Sequence, residues 1–310
     1  MALLEVSNLR AGYTSKGETF TAVDDVSFEI GAQETVGLVG ESGCGKSTLG
    51  KTVVRLLKPL SGQIRLEGQD IAPLDDAGLR PIRRKAQMVF QDPYASLNPR
   101  QTVLQTLETP LKVHGLKDAA ARRKKVSEIA DSIGFPVSAL NRYPHEFSGG
   151  QRQRIGIARA LILEPELVVC DEPVSALDLS IQAQILNLLV DLKRSFGLAF
   201  LFISHDLSVV RYFSDRVLVM YLGKIVETAD HATLWRTPRH PYTRALLASV
   251  PTTDPERKIE ARITGEIGGT APAAGCRFRA RCPIAEDRCA AEEPPLRPTA
   301  DGASVACHFA

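Results

Sequence analysis

Gly40-Glu41-Ser42-Gly43-Cys44-Gly45-Lys46-Ser47 fits the pattern G-x-x-x-x-G-K-[ST] and stands between a buried apolar run, Thr35 to Val39, and a helical sequence, STLGKTVVRLLK. Strand, loop and helix in that order form a phosphate cradle. The glycines let backbone N–H groups converge on anionic oxygens, and the N-terminus of the following helix adds partial positive charge. Lys46 is then placed to reach the β- and γ-phosphates and Ser47 to hold magnesium. The predicted contact set from this loop is Gly40, Ser42, Gly43, Cys44, Gly45, Lys46, Ser47 and Thr48.

Phosphoryl transfer is mostly positioning and charge stabilisation, so the cradle needs a carboxylate to order the metal and a group to align water. Leu167-Val168-Val169-Cys170-Asp171-Glu172 offers both. Its apolar run places Asp171 at the end of a buried parallel strand, where ligands of open α/β sheets gather, and Glu172 follows as a candidate base. SIQAQILNLLVDLKRSFG is an amphipathic helix that leads to a second buried run, LAFLFISHD, completing a βαβ unit. Further strands are predicted at Leu3 to Leu9, Ala22 to Ile30, Gln63 to Leu66 and Ala86 to Phe90, with a hairpin in RVLVMYLGKIVETA. Residues from about 95 to 165 are dominated by charged helix formers and read as a helical insertion. From Thr237 onward Pro, Gly, Ala and Cys prevail with little periodicity, which marks a second boundary.

Composition narrows the field. The 310 residues carry 44% apolar side chains, ample for a core, and 38 Lys+Arg against 36 Asp+Glu leave a net charge of only +2. There is no general electrostatic case for nucleic-acid binding. The longest apolar runs fall far short of the roughly 20 residues that span a bilayer. MALLEVSNLR does not read as a secretory signal, so the cytosol is the expected compartment. Four of the six cysteines, Cys276, Cys282, Cys289 and Cys307, cluster near the C-terminus, unlike the scatter of a disulfide framework.

Phe147-Ser148-Gly149-Gly150-Gln151-Arg152-Gln153-Arg154, a short distance before the LVVCDE strand, resembles the LSGGQ signature of ABC-type ATPases with Phe147 in place of Leu. Gln91 resembles the Q-loop, Ser175-Ala176-Leu177-Asp178 the D-loop and His205 the switch histidine, all in the family's order over about residues 3 to 250. The resemblance implies an α/β P-loop NTPase ABC cassette, a RecA-like core with an antiparallel β subdomain and the helical insertion, over residues 1–236. A small Cys-rich extension, 237–310, follows. It also implies a head-to-tail dimer with ATP between one subunit's P-loop and the other's signature, contacted by Ser148, Gly149, Gly150, Gln151 and Asp178. Gln91 joins Ser47 and Asp171 around Mg2+, and Lys46, Glu172 and His205 carry catalysis. Tyr13 is the candidate for stacking on adenine, with Phe20 as the other aromatic in reach.

YPHEFSGGQRQRIGIARAL, VCDEPVSALDLSIQAQILNLL and HPYTRALLASVP look like the ATPase subunits of dipeptide and oligopeptide importers, VSALD being more like the second of the two ATPases than the first. That resemblance implies a paralogous ATPase partner, two integral-membrane permease subunits docked near PYASLNPRQTV, an extracytoplasmic peptide-binding protein acting indirectly, and the cytoplasmic face of the inner membrane. Cys276-x5-Cys282-x6-Cys289-x17-Cys307 resembles the family's C-terminal cysteine motif, for which a [4Fe–4S] cluster is implied. Read without the family, the spacing also admits zinc, with His308 as an alternate ligand. The competing functional class is a soluble ABC ATPase that regulates a nucleic-acid or ribosome process.

Overall fold

The computed structural model describes residues 2–15, 17–250, 271–272 and 274–310. Its N-terminal strands, β1 (Ala2–Ser15) and β2 (Glu18–Gly31), form a long antiparallel ribbon. Both outrun the predicted Leu3 to Leu9 and Ala22 to Ile30. Register shifts between Val6/Leu9, Leu9/Ala11 and Ala11/Gly12 break the two-residue period on which the prediction rested, and Tyr13 faces Phe20 across the ribbon beyond them.

The chain then enters the parallel core through β3 (Thr35–Val39), every residue of which is buried. Helix α1 (Lys46–Val53) stops well before the predicted Lys58, because Arg55 turns left-handed (φ 57°) and buries its guanidinium on the Ile71 and Leu74 carbonyls at 2.9 Å each. Strands β4 (Ser61–Leu66) and β5 (Gln69–Asp70) complete a four-stranded antiparallel sheet in the order β2-β1-β4-β5. Helix α2 (Asp76–Lys85) has no counterpart among the predicted elements. Pro81 interrupts its sequence, and only Leu79 and Ile82 mark its buried face.

After β6 (Ala86–Val89) come α3 (Pro93–Ser96), α4 (Val103–Val113), α5 (Ala119–Ser132) and α6 (Gly149–Leu161), the last three within the expected helical insertion. The chain returns through β7 (Leu167–Asp171), α7 (Leu179–Phe196), β8 (Ala199–Ser204) and α8 (Leu207–Phe213). Gly197 (φ 65°) ends α7 in the left-handed conformation that glycine adopts without strain. The hairpin β9 (Arg216–Tyr221) and β10 (Lys224–Asp230) turns on Leu222 and Gly223, both with positive φ, as a two-residue turn of matching twist requires.

Helices α9 (His231–Arg236), α10 (Pro241–Ala248) and α11 (Asp287–Ala291) and the short strands β11 (Arg297–Pro298) and β12 (Ser304–Val305) form the C-terminal region. Residues 251–270 of the expected extension lie outside the described residues. The tail is not an appendage. Ser304 and Val305 pair with Thr228 and Glu227, so the main sheet has eight strands, β11-β12-β10-β9-β3-β8-β7-β6, with a parallel centre from β9 to β6. Alternate residues of its strands divide the core. Val168, Cys170, Phe200 and Phe202 face the helices and the tail's Phe278, while Val169, Leu201 and Ile203 face α1 and the antiparallel sheet.

Candidate functional site

Gly40, Gly43 and Gly45 all adopt positive φ (154°, 81° and 110°), and a Cβ on Gly40 or Gly45 would lie 2.2 Å from the carbonyl oxygen of Met220 or Ala22. Glycine is therefore required there for backbone conformation and for space. Gly45 caps α1, and the next residue, Lys46, is buried with its Nζ donating to the carbonyls of Gly40 at 2.7 Å and Glu41 at 2.9 Å. The ammonium thus spans the mouth of the loop. Ser47 Oγ donates to Asp171 Oδ1 at 2.8 Å, joining the start of α1 to the end of β7. Burial raises the Asp171 carboxyl above its usual range, and the Ser47 hydrogen bond and the Lys51 charge oppose that rise.

Beyond β7 the three polar groups from separate loops meet. The Glu172 carboxylate accepts Gln91 Nε2 at 2.9 Å and lies 3.1 Å from His205 Nδ1. Parallel order explains the convergence: β6, β7 and β8 are neighbours, so the residues following their C-terminal ends share one edge. Tyr13 places its hydroxyl 3.3 Å from Thr48 Oγ1 with the ring about half exposed, which ties Tyr13 to the loop; Phe20, its cross-strand neighbour, is also exposed. Ser42 is exposed, whereas Cys44 and Cys170 are buried and their thiols are pushed up by that burial.

The signature residues open α6. Ser148 and Gln151 form a reciprocal cap, with Ser148 N–H donating to Gln151 Oε1 at 3.0 Å and Gln151 N–H to Ser148 Oγ at 3.4 Å. Gly149 and Gly150 follow where α6 crosses α7, and a Cβ on Gly150 would meet Ile181 Cγ2 at 2.5 Å. Phe147 fills the position of the expected leucine by packing on Phe135, ring centres 5.3 Å apart. Asp178 caps α7 and is held below the usual carboxylate range by the Ser180 hydroxyl and the Ile181 amide. Ser148, Gln151 and Asp178 are exposed, and the side-chain hydrogen bonds of Lys46 and Glu172 run to other residues.

Three residues near the site make contacts that no local sequence pattern reports. Arg152 is buried, donates to the Pro144 carbonyl at 2.7 Å and lies 3.8 Å over the Tyr94 ring, which links α6 to the segment after Gln91. Tyr242 and Arg281 contact Glu41 from 201 and 240 residues away, a separation no spacing pattern reports.

The expected cysteine site is not assembled. Among the described residues no three His, Cys, Asp or Glu side chains are grouped to hold a metal ion, so Cys276, Cys282, Cys289 and Cys307 do not form an assembled ligand sphere in this structure. The Cys276 amide instead closes the turn on the Cys289 carbonyl at 2.7 Å, and Cys289 and Cys307 are buried like small apolar side chains. The four do share one neighbourhood. Burial, followed by the thiols of Cys289, Cys282 and Cys307, pushes the Cys276 thiol up. His308 Nε2 pairs with the Glu292 carbonyl at 3.1 Å.

A phosphate cradle, a buried serine–aspartate pair and a glutamate gathered with a glutamine and a histidine at one edge of a parallel sheet define a nucleotide-hydrolysing ATP-binding cassette. The model of the ABC transporter family matches residues 23–175, and that of the oligopeptide/dipeptide transporter C-terminal region matches residues 226–289. A putative peptide import ATP-binding protein of Brucella ovis is 50% identical over 307 residues, 98% of this chain and 97% of that one. Oligopeptide transport ATP-binding protein AppF of Bacillus subtilis is 52% identical over 293 residues, 93% of this chain and 89% of its own. A dimeric, ADP- and Pi-bound structure of the cassette MJ0796 superposes with TM-score 0.67 at 32% identity, covering 74% of this chain and 98% of that one. The chain belongs to the peptide-import ATP-binding proteins of the ABC transporter family.

Proposed function

We propose that the chain is the ATP-hydrolysing subunit of a membrane importer of peptides and works as one half of a head-to-tail ATPase pair. The observation that carries the ATPase assignment is the gathering of Gln91, Glu172 and His205 beside the Ser47–Asp171 pair and Lys46. Glu172 takes the proton of the attacking water, and His205 and Gln91 orient its carboxylate and sense the γ-phosphate. Lys46, released from the Gly40 and Glu41 carbonyls, stabilises charge on the β- and γ-oxygens. Ser47, Asp171 and Gln91 are oxygen donors suited to Mg2+ and would hold it; when bound, it neutralises charge on the transferring phosphoryl group. Tyr13 covers the adenine. Ser148, Gly149, Gly150, Gln151 and Asp178 serve the partner's nucleotide.

The importer assignment rests on the relatives' names and on a surface. A cleft of about 660 Å³ opens between Phe90, Gln91, Ala95, Val113 and Arg159, with Tyr94 and Leu56 exposed around it. It is the docking place for a permease loop, and the nearby Gln91 ties occupancy to hydrolysis. No helix among the described residues is long and apolar enough to cross a membrane, so attachment to the cytoplasmic face of the membrane runs through two permease subunits. The ATPase partner is a paralogue, and the peptide itself meets the binding protein and permease. The four cysteines belong to this reading as an iron–sulfur site that assembles on metal loading, supported by their spacing and shared neighbourhood alone; no step of ATP chemistry passes through it. Protein purified without oxygen should then contain iron and sulfide, whereas freely alkylated thiols without metal remove the site.

Co-purification tests the whole. Recovery with two integral-membrane subunits and ATPase activity stimulated by a peptide-loaded binding protein is the expected result. Recovery with ribosomes or nucleic acid and no membrane subunit would transfer the chain to the regulatory class. Lys46→Ala should abolish hydrolysis in that complex.

A further inference from the structure

Glu41, the first residue after the opening glycine of the cradle, is held from three sides. Its carboxylate accepts both terminal nitrogens of Arg281, Nη1 at 2.7 Å and Nη2 at 2.9 Å. Its backbone N–H donates to the Tyr242 hydroxyl at 2.8 Å, and its carbonyl accepts the Lys46 ammonium at 2.9 Å. Arg281 and Tyr242 both come from the C-terminal region, on the far side of β10 in the chain. The Arg281 side chain is only 8% exposed, and Nη1 also reaches the Tyr221 hydroxyl at 3.4 Å. Its backbone is fixed in turn by Phe278, buried against Tyr221, Tyr242 and His240 at ring separations of 5.2, 5.5 and 5.6 Å.

A carboxylate carried by an anion-binding loop works against the ligand. Two negative charges within a Debye length of about 8–10 Å repel, the more so where the protein excludes water. Glu41 belongs to the same short loop whose amides and lysine receive the triphosphate. A two-pronged guanidinium is the counter-charge best matched to a carboxylate, since the paired hydrogen bonds fix its direction as well as its charge. We infer that Arg281 is a positioning residue of the nucleotide site, which neutralises Glu41 and clamps the loop so that the C-terminal extension sets the affinity for ATP. The extension is thereby part of the ATP site, although it contributes no atom to the cradle.

The inference rests on the loop being the ATP site, which the Lys46→Ala protein tests separately. MgATP affinity is measured in the full assembled complex by displacement of a fluorescent ATP analogue, together with KM and kcat. Arg281→Gln should weaken binding by roughly tenfold, the factor given by 1.4 kcal/mol of lost charge compensation, with KM rising more than kcat falls. Glu41→Gln should act in the opposite direction and tighten binding, because it leaves Arg281 as a free positive charge near the phosphates. The double variant should return close to the parent. Arg281→Lys keeps the charge and should recover most of the affinity. A merely structural ion pair predicts the same sign for both single changes and no recovery in the double. Unchanged affinity in Arg281→Gln, or weaker binding in Glu41→Gln, overturns the proposal. If Arg281→Gln fails to assemble, Glu41→Gln and Arg281→Lys decide by the same signs.

Discussion

Glu172 holds a left-handed backbone conformation (φ 45°), which costs a non-glycine residue on the order of 1–3 kcal/mol and persists when its surroundings over-determine it. Here the Glu172 amide donates to the Ile203 carbonyl at 3.0 Å while Gln91 and His205 meet the carboxylate. Glu172→Gln keeps the shape and loses the proton-accepting oxygen, so ATP binding should survive while kcat falls by about a hundredfold or more. Single-turnover ADP formation measures it, and failure to bind ATP would remove Glu172 from the role of base. A second residue governs stability against acid. His240 is buried, its Nδ1 accepts the Tyr242 amide at 3.1 Å, and burial depresses its pKa from 6.5 to about 4. The unfolded chain therefore binds a proton below pH 6.5 that the folded chain refuses until about pH 4. Stability is complete above pH 6.5 and drains away toward pH 4, by on the order of 3 kcal/mol in total. Neighbouring Glu227, raised by burial, contributes with opposite sign above its ordinary value, so the clean measurement is a difference. His240→Asn retains a cap acceptor, and its thermal midpoint should decline less between pH 7 and pH 5 than the parent's; equal slopes would disprove the assignment.

At the scale of elements, α6 and α7 cross where Gly150 meets Ile181. Gly150→Ala would force a Cβ to 2.5 Å from Ile181 Cγ2 and should cost about 1–3 kcal/mol through displacement of α6, despite the better helix propensity of alanine. Adding Ile181→Ala should return part of that loss, and denaturant midpoints of the two single and one double variant test the coupling. The elements that declared themselves in the sequence were those whose order is local. The runs Thr35–Val39, Leu167–Asp171 and Ala199–Ser204 are buried throughout, and α7 has both an apolar face and a terminating glycine. Those that did not were shaped by distant partners. Arg55 ends α1 because carbonyls of Ile71 and Leu74 are waiting for it, and α2 forms around a proline because Leu79 and Ile82 find a core. Likewise the residues proposed for the nucleotide site fall in contiguous motifs, while Arg281 and Tyr242 reach Glu41 only through the fold.

The whole molecule is joined across its two family regions by one aromatic cluster and one sheet. The tail, in which Pro, Gly, Ala and Cys prevail, is held through the cassette: Phe278 is 1% exposed among Tyr221, Tyr242 and His240, while β12 extends the edge of β10. Arg277 adds a further fastening, since its guanidinium pairs with Asp24 of β2 and with the Leu222 carbonyl. Such a tail should melt with the cassette rather than before it. Phe278→Ala removes the anchor and leaves a cavity bounded by side chains that belong to both parts, at a cost of about 3–5 kcal/mol. The same change frees the turn that carries Arg281, so ATP affinity should fall together with the thermal midpoint. Phe278→Leu fills most of the volume and should restore both in parallel. Calorimetry of the full chain with and without MgATP separates the possibilities: one cooperative transition, lowered by Phe278→Ala and less responsive to MgATP, is the expected outcome. A separate low-temperature transition for the tail, with ATP affinity unaltered, would show that the extension is only attached to the cassette and not part of its folding unit.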